Sequence, residues 1–225
     1  MKRAVIIVAG GHGLRMGSDI PKQFLEIKGI PVLCRTIRQF IDFDPEIKIF
    51  TVLPASHISY WKQIAPKYLN NNSIEIIEGG NERFFSVKNA VDKLDDDIDI
   101  TGVHDGVRPL VSTKCIAECY AHAALEGNAV PCLAPPESIR ISESNGDSHI
   151  INRDTIKLIQ TPQVFHTDIL KRAYLQPYSK EFTDDASVVE KIGTKINLIP
   201  GIKQNIKITT FEDLEYAEFI LNRKH

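Results

Sequence analysis

The sequence predicts an α/β fold: a Rossmann-like, mostly parallel sheet with helices on both faces. Three observations carry this expectation. Strand-like apolar runs recur at residues 4–9, 47–53, 74–77, 101–104 and 129–134. Stretches with helical periodicity lie between them, at 31–41, 56–69, 83–95 and 112–125. Runs that are apolar throughout belong to strands covered on both faces, and their alternation with helices makes the βαβ units of a parallel sheet. Third, 225 residues suffice for one well-buried domain and are too few for two, so residues 1–225 are expected to form a single domain.

Composition narrows the function. With 43% apolar and 25% charged residues the chain is an ordinary globular one, and a formal net charge of −2 gives no general attraction to nucleic acid or anionic membrane. Neither is expected as a partner. The opening Met1-Lys2-Arg3 runs straight into AVIIVA, too short for a signal peptide or a membrane span, and no later segment does better. Cys34, Cys115, Cys119 and Cys132 form no CxxC pair and lie in apolar segments, where cysteine acts as a small buried hydrophobe. Free thiols in a reducing cytoplasm are expected. Residues 92–99 carry five Asp and one Lys, which predicts a solvated helix end.

In parallel sheets ligands bind beyond the carboxyl ends of the strands. The first strand ends in Ala9-Gly10-Gly11-His12-Gly13-Leu14-Arg15-Met16-Gly17, and Pro21-Lys22-Gln23-Phe24 follows. Glycines at 10, 11 and 13 let backbone N–H groups turn toward an anion. Arg15 and Lys22 add permanent charges suited to a polyphosphate, and Pro21 fixes the backbone ahead of Lys22. Neither a P-loop nor a dinucleotide fingerprint fits. Counted from Gly11, each needs a glycine where Met16 stands.

Residues 135–153 break the rhythm. ESIRIS alternates, Asn145-Gly146 is a hairpin turn signal, and HIIN resumes the strand pattern. A hairpin outside the main sheet is expected, either a mobile surface hairpin or an arm that meets a partner. Such an arm would otherwise leave Ile139, Ile141, Ile150 and Ile151 in water. The final helix is marked by Thr210 as N-cap and an acidic first turn, with Phe211, Leu214, Ala217 and Leu221 on one face.

The Gly-Gly-x-Gly-x-Arg-Met loop followed by Pro-Lys-Gln-Phe resembles the sugar- and polyol-phosphate nucleotidyltransferases, and within them the 2-C-methyl-D-erythritol 4-phosphate cytidylyltransferase family. The resemblance runs the whole chain. It continues through Gly-Gly-Asn-Glu-Arg at 79–83 with Ser86, His-Asp-Gly-Val-Arg-Pro at 104–109, Thr-Pro-Gln-Val-Phe at 161–165, Thr-Asp-Asp-Ala-Ser at 183–187 and Asn-Ile-Lys-Ile-Thr at 205–209.

The resemblance implies attack by the phosphate of a small polyol phosphate on the α-phosphorus of CTP, in isoprenoid biosynthesis. It gives Arg15, Lys22 and Lys207 the catalytic charges. It places Ala9, Gly10, Gly11, Gly13, Gly80, Asn81, Ser86, Asp105 and Gly106 around CTP. Arg108, Ser138, Arg153, Thr183 and Lys207 fall to the acceptor, and Asp105 to Mg²⁺ or another divalent cation. It also makes the hairpin, at about 135–157, a homodimerisation arm that carries Arg153 into the partner's site. His104 is expected to be structural, because adjacent strand residues face opposite ways.

Some positions depart from the family pattern. Asn81 stands where an acid is common, Gly10 and Gly106 where alanine is frequent, and His12 has no physical account. The Gly-Gly form also occurs in ribitol 5-phosphate cytidylyltransferases, which keeps ribitol 5-phosphate as an alternative acceptor. A degenerate nucleotide sensor would be expected to have lost Lys22, Asp105 or Lys207, and all three are present.

Overall fold

The computed structural model describes residues 1–10, 20–69 and 74–223. The expectations for Gly11, His12, Gly13 and Arg15 lie outside the described residues. The chain begins with β1 (Arg3–Val8), a small hairpin of β2 (Glu26–Ile27) and β3 (Ile30–Pro31), and α1 (Val32–Phe43). Next come β4 (Lys48–Leu53), α2 (Ala55–Ile64), β5 (Ile74–Glu78), α3 (Arg83–Val91) and β6 (Ile100–Asp105). After α4 (Thr113–Glu126) and β7 (Asn128–Leu133) lie β8 (Ile139–Ser142) and β9 (Ser148–Ile151). The remaining elements are β10 (Leu158–Ile159), β11 (Gln163–His166), α5 (Thr167–Ala173), α6 (Asp185–Lys191), β12 (Leu198–Pro200) and α7 (Phe211–Asn222).

The main sheet runs β10-β7-β11-β6-β1-β4-β5, with β12 also paired to β7. β1 is parallel to both β4 and β6, so the chain moves outward from β1 to β5 and then returns to the other side. That reversal leaves a crevice between the carboxyl ends of β1 and β6, where Val8 lies opposite Asp105. The strands are apolar on both sides because both faces are covered. Val5 and Ile7 join the core under α1, α2 and α4, with Phe40, Trp61 and Tyr120. Ala4 and Ile6 join the opposite core under α3, α5 and α6, with Phe84, Leu170 and Val189.

Three short strands were not anticipated. β11 lies antiparallel between β6 and β7, β10 pairs antiparallel with β7, and β12 pairs parallel with it. The acidic run follows the end of α3 and its aspartates are exposed, as expected of a solvated helix end. α3 stops at Val91, and the run after it pairs with four lysines, Lys88 from α3 itself and three from other parts of the fold. Asp97 meets Lys2, while Asp95 meets Lys48 at 2.5 Å, Asp96 meets Lys171 at 2.8 Å and Asp92 meets Lys88 at 2.9 Å. These pairs are mostly exposed, where water and salt screen the attraction and leave an ion pair worth little.

The capping of α7 follows its sequence: Thr210 Oγ1 accepts from the Asp213 N–H at 3.3 Å, and the Asp213 carboxylate accepts from the Thr210 N–H at 2.9 Å. Leu214, Ala217 and Leu221 pack on Val32, Val107 and Ile208. Phe211 is the correction, being 48% exposed. At about 100° per residue it sits about 120° from Ala217, beyond the edge of the buried stripe.

β8 and β9 form their own two-stranded sheet, turned by Gly146 at φ +91°. The pairing puts Ile139, Ile141 and Ile151 on one face and Ile150 on the other, beside Arg140. Ile150 is 70% exposed.

Candidate functional site

The crevice opens into a cavity of about 650 Å³, within the usual size for a small-molecule site. Its walls include Ala9 and Gly10 from the end of β1, and Lys22 from the turn behind Pro21. Gly80, Asn81 and Ser86 line it from the β5–α3 turn, and Asp105 and Lys207 from the far side. Gly106, Arg108, Ser138, Arg153 and Thr183 are not among its lining residues.

The β5–α3 turn depends on its glycines. A Cβ on Gly80 would come within 2.4 Å of Phe85 Cβ, a separation the backbone cannot tolerate. Ser86, one turn into α3, accepts from the Gly80 N–H at 3.1 Å and donates to the Gly80 carbonyl at 3.3 Å. The serine thus fixes the turn as well as facing the cavity.

Asp105 is nearly buried at the end of β6. Its Oδ2 accepts from Arg108 Nε at 3.0 Å and pairs with Lys207 Nζ at 3.2 Å. Burial alone would raise its pKa, yet Lys207, Arg108 and Arg83 together hold it well below the usual carboxylate range. Lys207 arrives from a late segment fastened to this edge by the Ile208 N–H, which donates to the Val107 carbonyl at 2.9 Å. Arg108 stands behind the carboxylate, with Nη1 donating to the Asn205 carbonyl at 2.8 Å. In this conformation it is a partner of Asp105 rather than a wall of the cavity.

His104 faces away from the cavity and is fully buried against Phe40. The Asp105 N–H donates to Thr161 Oγ1 at 3.1 Å, so the threonine hydroxyl turns its hydrogen to His104 Nδ1 at 2.9 Å. Nε2–H then donates to the Arg108 carbonyl at 3.3 Å. Burial pushes the imidazole down to about 3, which keeps it neutral and fixes this tautomer.

The remaining expected residues lie elsewhere. Asp184 caps α6, accepting from the Ser187 N–H at 2.9 Å, and exposed Thr183 immediately precedes it. Ser138 and Arg153 are exposed on the arm, where Arg153 Nη1 donates to the Pro136 carbonyl at 2.8 Å. Gly106 is packed rather than open, since a Cβ there would meet Ala9 Cβ and Leu33 at 3.0 Å.

Among the lining residues that the expected site did not include, two have side chains held by specific bonds. Gln23 is fully buried, and its Nε2 lies 3.1 Å from the Ala9 carbonyl and 3.2 Å from His57 Nδ1. Arg83 forms a two-pronged pair with buried Asp185, at 2.9 and 2.6 Å. Both lie within motifs already visible, Pro-Lys-Gln-Phe and Gly-Gly-Asn-Glu-Arg, and that position was the available signal.

The chain matches the family model for 2-C-methyl-D-erythritol 4-phosphate cytidylyltransferase over residues 3–223. A protein of that name from Phocaeicola vulgatus is 48% identical over 221 residues, covering 98% of this chain and all of the relative. Among solved structures, the 2-C-methyl-D-erythritol 4-phosphate cytidylyltransferase of Francisella tularensis superposes with a TM-score of 0.80 at 32% identity, over 97% of this chain and 99% of that one. The 4-diphosphocytidyl-2C-methyl-D-erythritol synthase of Anaerococcus prevotii gives 0.82 at 27% identity, over 98% of each chain. With the whole length matched and the cavity set at the switch point of the sheet, this chain belongs to the 2-C-methyl-D-erythritol 4-phosphate cytidylyltransferase family.

Proposed function

We propose that the chain transfers the cytidylyl group of CTP to the phosphate of 2-C-methyl-D-erythritol 4-phosphate, giving 4-diphosphocytidyl-2-C-methyl-D-erythritol and pyrophosphate. The observation that carries this reading is one cavity lined by Lys22 and Lys207, by a carboxylate held ionised, and by a glycine turn suited to reading a base. No side-chain base is required. A phosphate monoester has its second pKa near about 6 and is mostly dianionic at neutral pH. The barrier is repulsion between anions and charge building up on the leaving pyrophosphate, which fixed positive charge relieves.

In this reading Lys22 and Arg15 hold the triphosphate, and Lys207 steadies the acceptor phosphate beside it. Asn81, Gly80 and Ser86 read the cytosine, with the amide oxygen of Asn81 able to accept from the base amino group. Arg108 keeps Asp105 ionised and aimed, and Thr183 and Ser138 approach the acceptor. Asp105 fits Mg²⁺ or another divalent cation. A hard cation takes one or two carboxylates beside substrate phosphates, and among the described residues no group of three or more His, Cys, Asp or Glu could cage one. When bound, the cation would neutralise phosphate charge.

The arm at about 135–157 is assigned to a homodimer, with Arg153 serving the partner's site. Ile141, Ile150, Leu158 and Ile159 all stand exposed on or beside it, and a second copy would cover them. No helix among the described residues is long and apolar enough to cross a membrane, and four free cysteines fit a cytoplasmic enzyme.

The test is pyrophosphate release with CTP or UTP and each of two acceptors. CTP should win by a wide margin, because uracil leaves the group that reads the amino donor unpaired. Methylerythritol 4-phosphate should outperform ribitol 5-phosphate. No release with CTP and methylerythritol 4-phosphate would overturn the reading.

A further inference from the structure

The Arg83–Asp185 pair has no part in the reading above. Arg83 opens α3 just past the Gly80–Asn81 turn and lines the cavity, with 30% of its side chain exposed. Nη1 donates to Asp185 Oδ1 at 2.9 Å and Nη2 to Oδ2 at 2.6 Å. Asp185 is wholly buried, and the Tyr174 hydroxyl donates to the same Oδ1 at 2.7 Å. Tyr174 is itself stacked on Phe84, with ring centroids 5.0 Å apart. Two parallel bonds to a carboxylate that cannot move fix both the position and the plane of the guanidinium.

Stability alone is a poor explanation for this arrangement. A buried ion pair seldom outperforms apolar side chains of the same volume, because desolvating both charges offsets their attraction. A guanidinium also carries five N–H hydrogens, of which Asp185 takes one from each Nη. Nε–H and the outer Nη hydrogens remain on a side chain that forms part of the cavity wall.

We propose that Arg83 is a substrate-contacting residue, donating hydrogen bonds to a substrate phosphate group while Asp185 and Tyr174 aim its guanidinium. Phosphate is the favoured class because a planar fork matches its oxygens and because Lys22 and Lys207 line the same cavity. This inference rests on the cytidylyl-transfer reading of the cavity. Two phosphates could meet Arg83, the triphosphate of CTP and the monoester of the acceptor, and the experiment has an arm for each.

Removing the guanidinium alone would strand a buried carboxylate, so Arg83→Met is combined with Asp185→Asn. Arg83→Lys keeps the charge without the fork, and Asp185→Asn alone keeps the guanidinium with weaker aim. Full-length proteins are titrated calorimetrically with CTP and with inorganic pyrophosphate, and the KM for methylerythritol 4-phosphate is measured at saturating CTP. The double variant should lose about tenfold or more in one arm, with smaller losses for Arg83→Lys and Asp185→Asn. Weaker CTP and pyrophosphate binding assigns the triphosphate, whereas a raised acceptor KM alone assigns the monoester. A folded double variant matching wild type in both arms overturns the proposal. If the double variant does not fold, Arg83→Lys decides, and wild-type values in both arms overturn it. A wild-type protein that binds CTP but releases no pyrophosphate would sink the transfer reading, while the calorimetric arm would still test Arg83.

Discussion

At Asp105 three cations outweigh burial, and each of those cations has its own place in the fold. Lys207 lines the cavity and pairs with the carboxylate, and Lys22 lines the same cavity. Losing one contact that strengthens in the transition state typically costs about 3 kcal/mol, or on the order of a hundredfold in turnover. Lys22→Ala and Lys207→Ala should each lower kcat by at least that order while leaving the circular dichroism spectrum unchanged. Near-normal turnover in both would remove them from the chemistry. His104 makes a different prediction, about stability. Its folded pKa is depressed from 6.5 to about 3, so between those values the unfolded chain binds a proton that the folded one does not. Stability should therefore fall as pH drops below about 6.5, by up to about 1.4 kcal/mol per unit, until the window closes near 3. Urea unfolding between pH 7 and pH 5 measures this slope, and His104→Asn should flatten it. An equal slope in the variant would show that another group sets it.

Two glycines of the cavity wall, Gly10 and Gly80, serve different elements. Among the described residues a Cβ on Gly10 would meet nothing within 4 Å, whereas one on Gly80 would collide with Phe85 at the start of α3. Gly10→Ala should therefore leave the KM for CTP near its original value. Gly80→Ala should raise it about tenfold or more, since the turn must shift away from Ser86. Equal effects of the two substitutions would contradict this view of the turn. The same contrast explains what the sequence could disclose. β1 and β4 were legible because strands covered on both faces are largely apolar along their length. β11 was not, because Gln163-Val-Phe-His is short and begins and ends with polar residues, and β12 spans only Leu198–Pro200. Their strand state comes from pairing with β7, a contact made only in the folded chain. Lys22, Asp105 and Lys207 were visible beside loops that already pointed to phosphate. Arg83 was not, because what distinguishes it is a carboxylate 102 positions away.

At the scale of the whole molecule, the proposed exchange of arms would decide whether one chain makes a complete site. Arg153 lies exposed beyond the cavity of its own chain, and the isoleucines of β8 and β9 divide between two faces, both partly open to water. A two-fold dimer with exchanged arms would cover those faces and give each site Lys22 from one chain and Arg153 from the other. Chains carrying Lys22→Ala and chains carrying Arg153→Ala should each be nearly inactive alone. Refolded together in equal amounts, they should form heterodimers in about half of all pairings, by random isologous association. In every heterodimer one site collects both lesions and the other collects none. Activity should then return to about a quarter of wild type, provided the sites act independently. If Arg153 served its own chain, every site would keep one lesion and mixing would restore nothing. Heterodimers isolated by two different affinity tags and found inactive would therefore refute the shared site, while recovery would also exclude a monomeric enzyme.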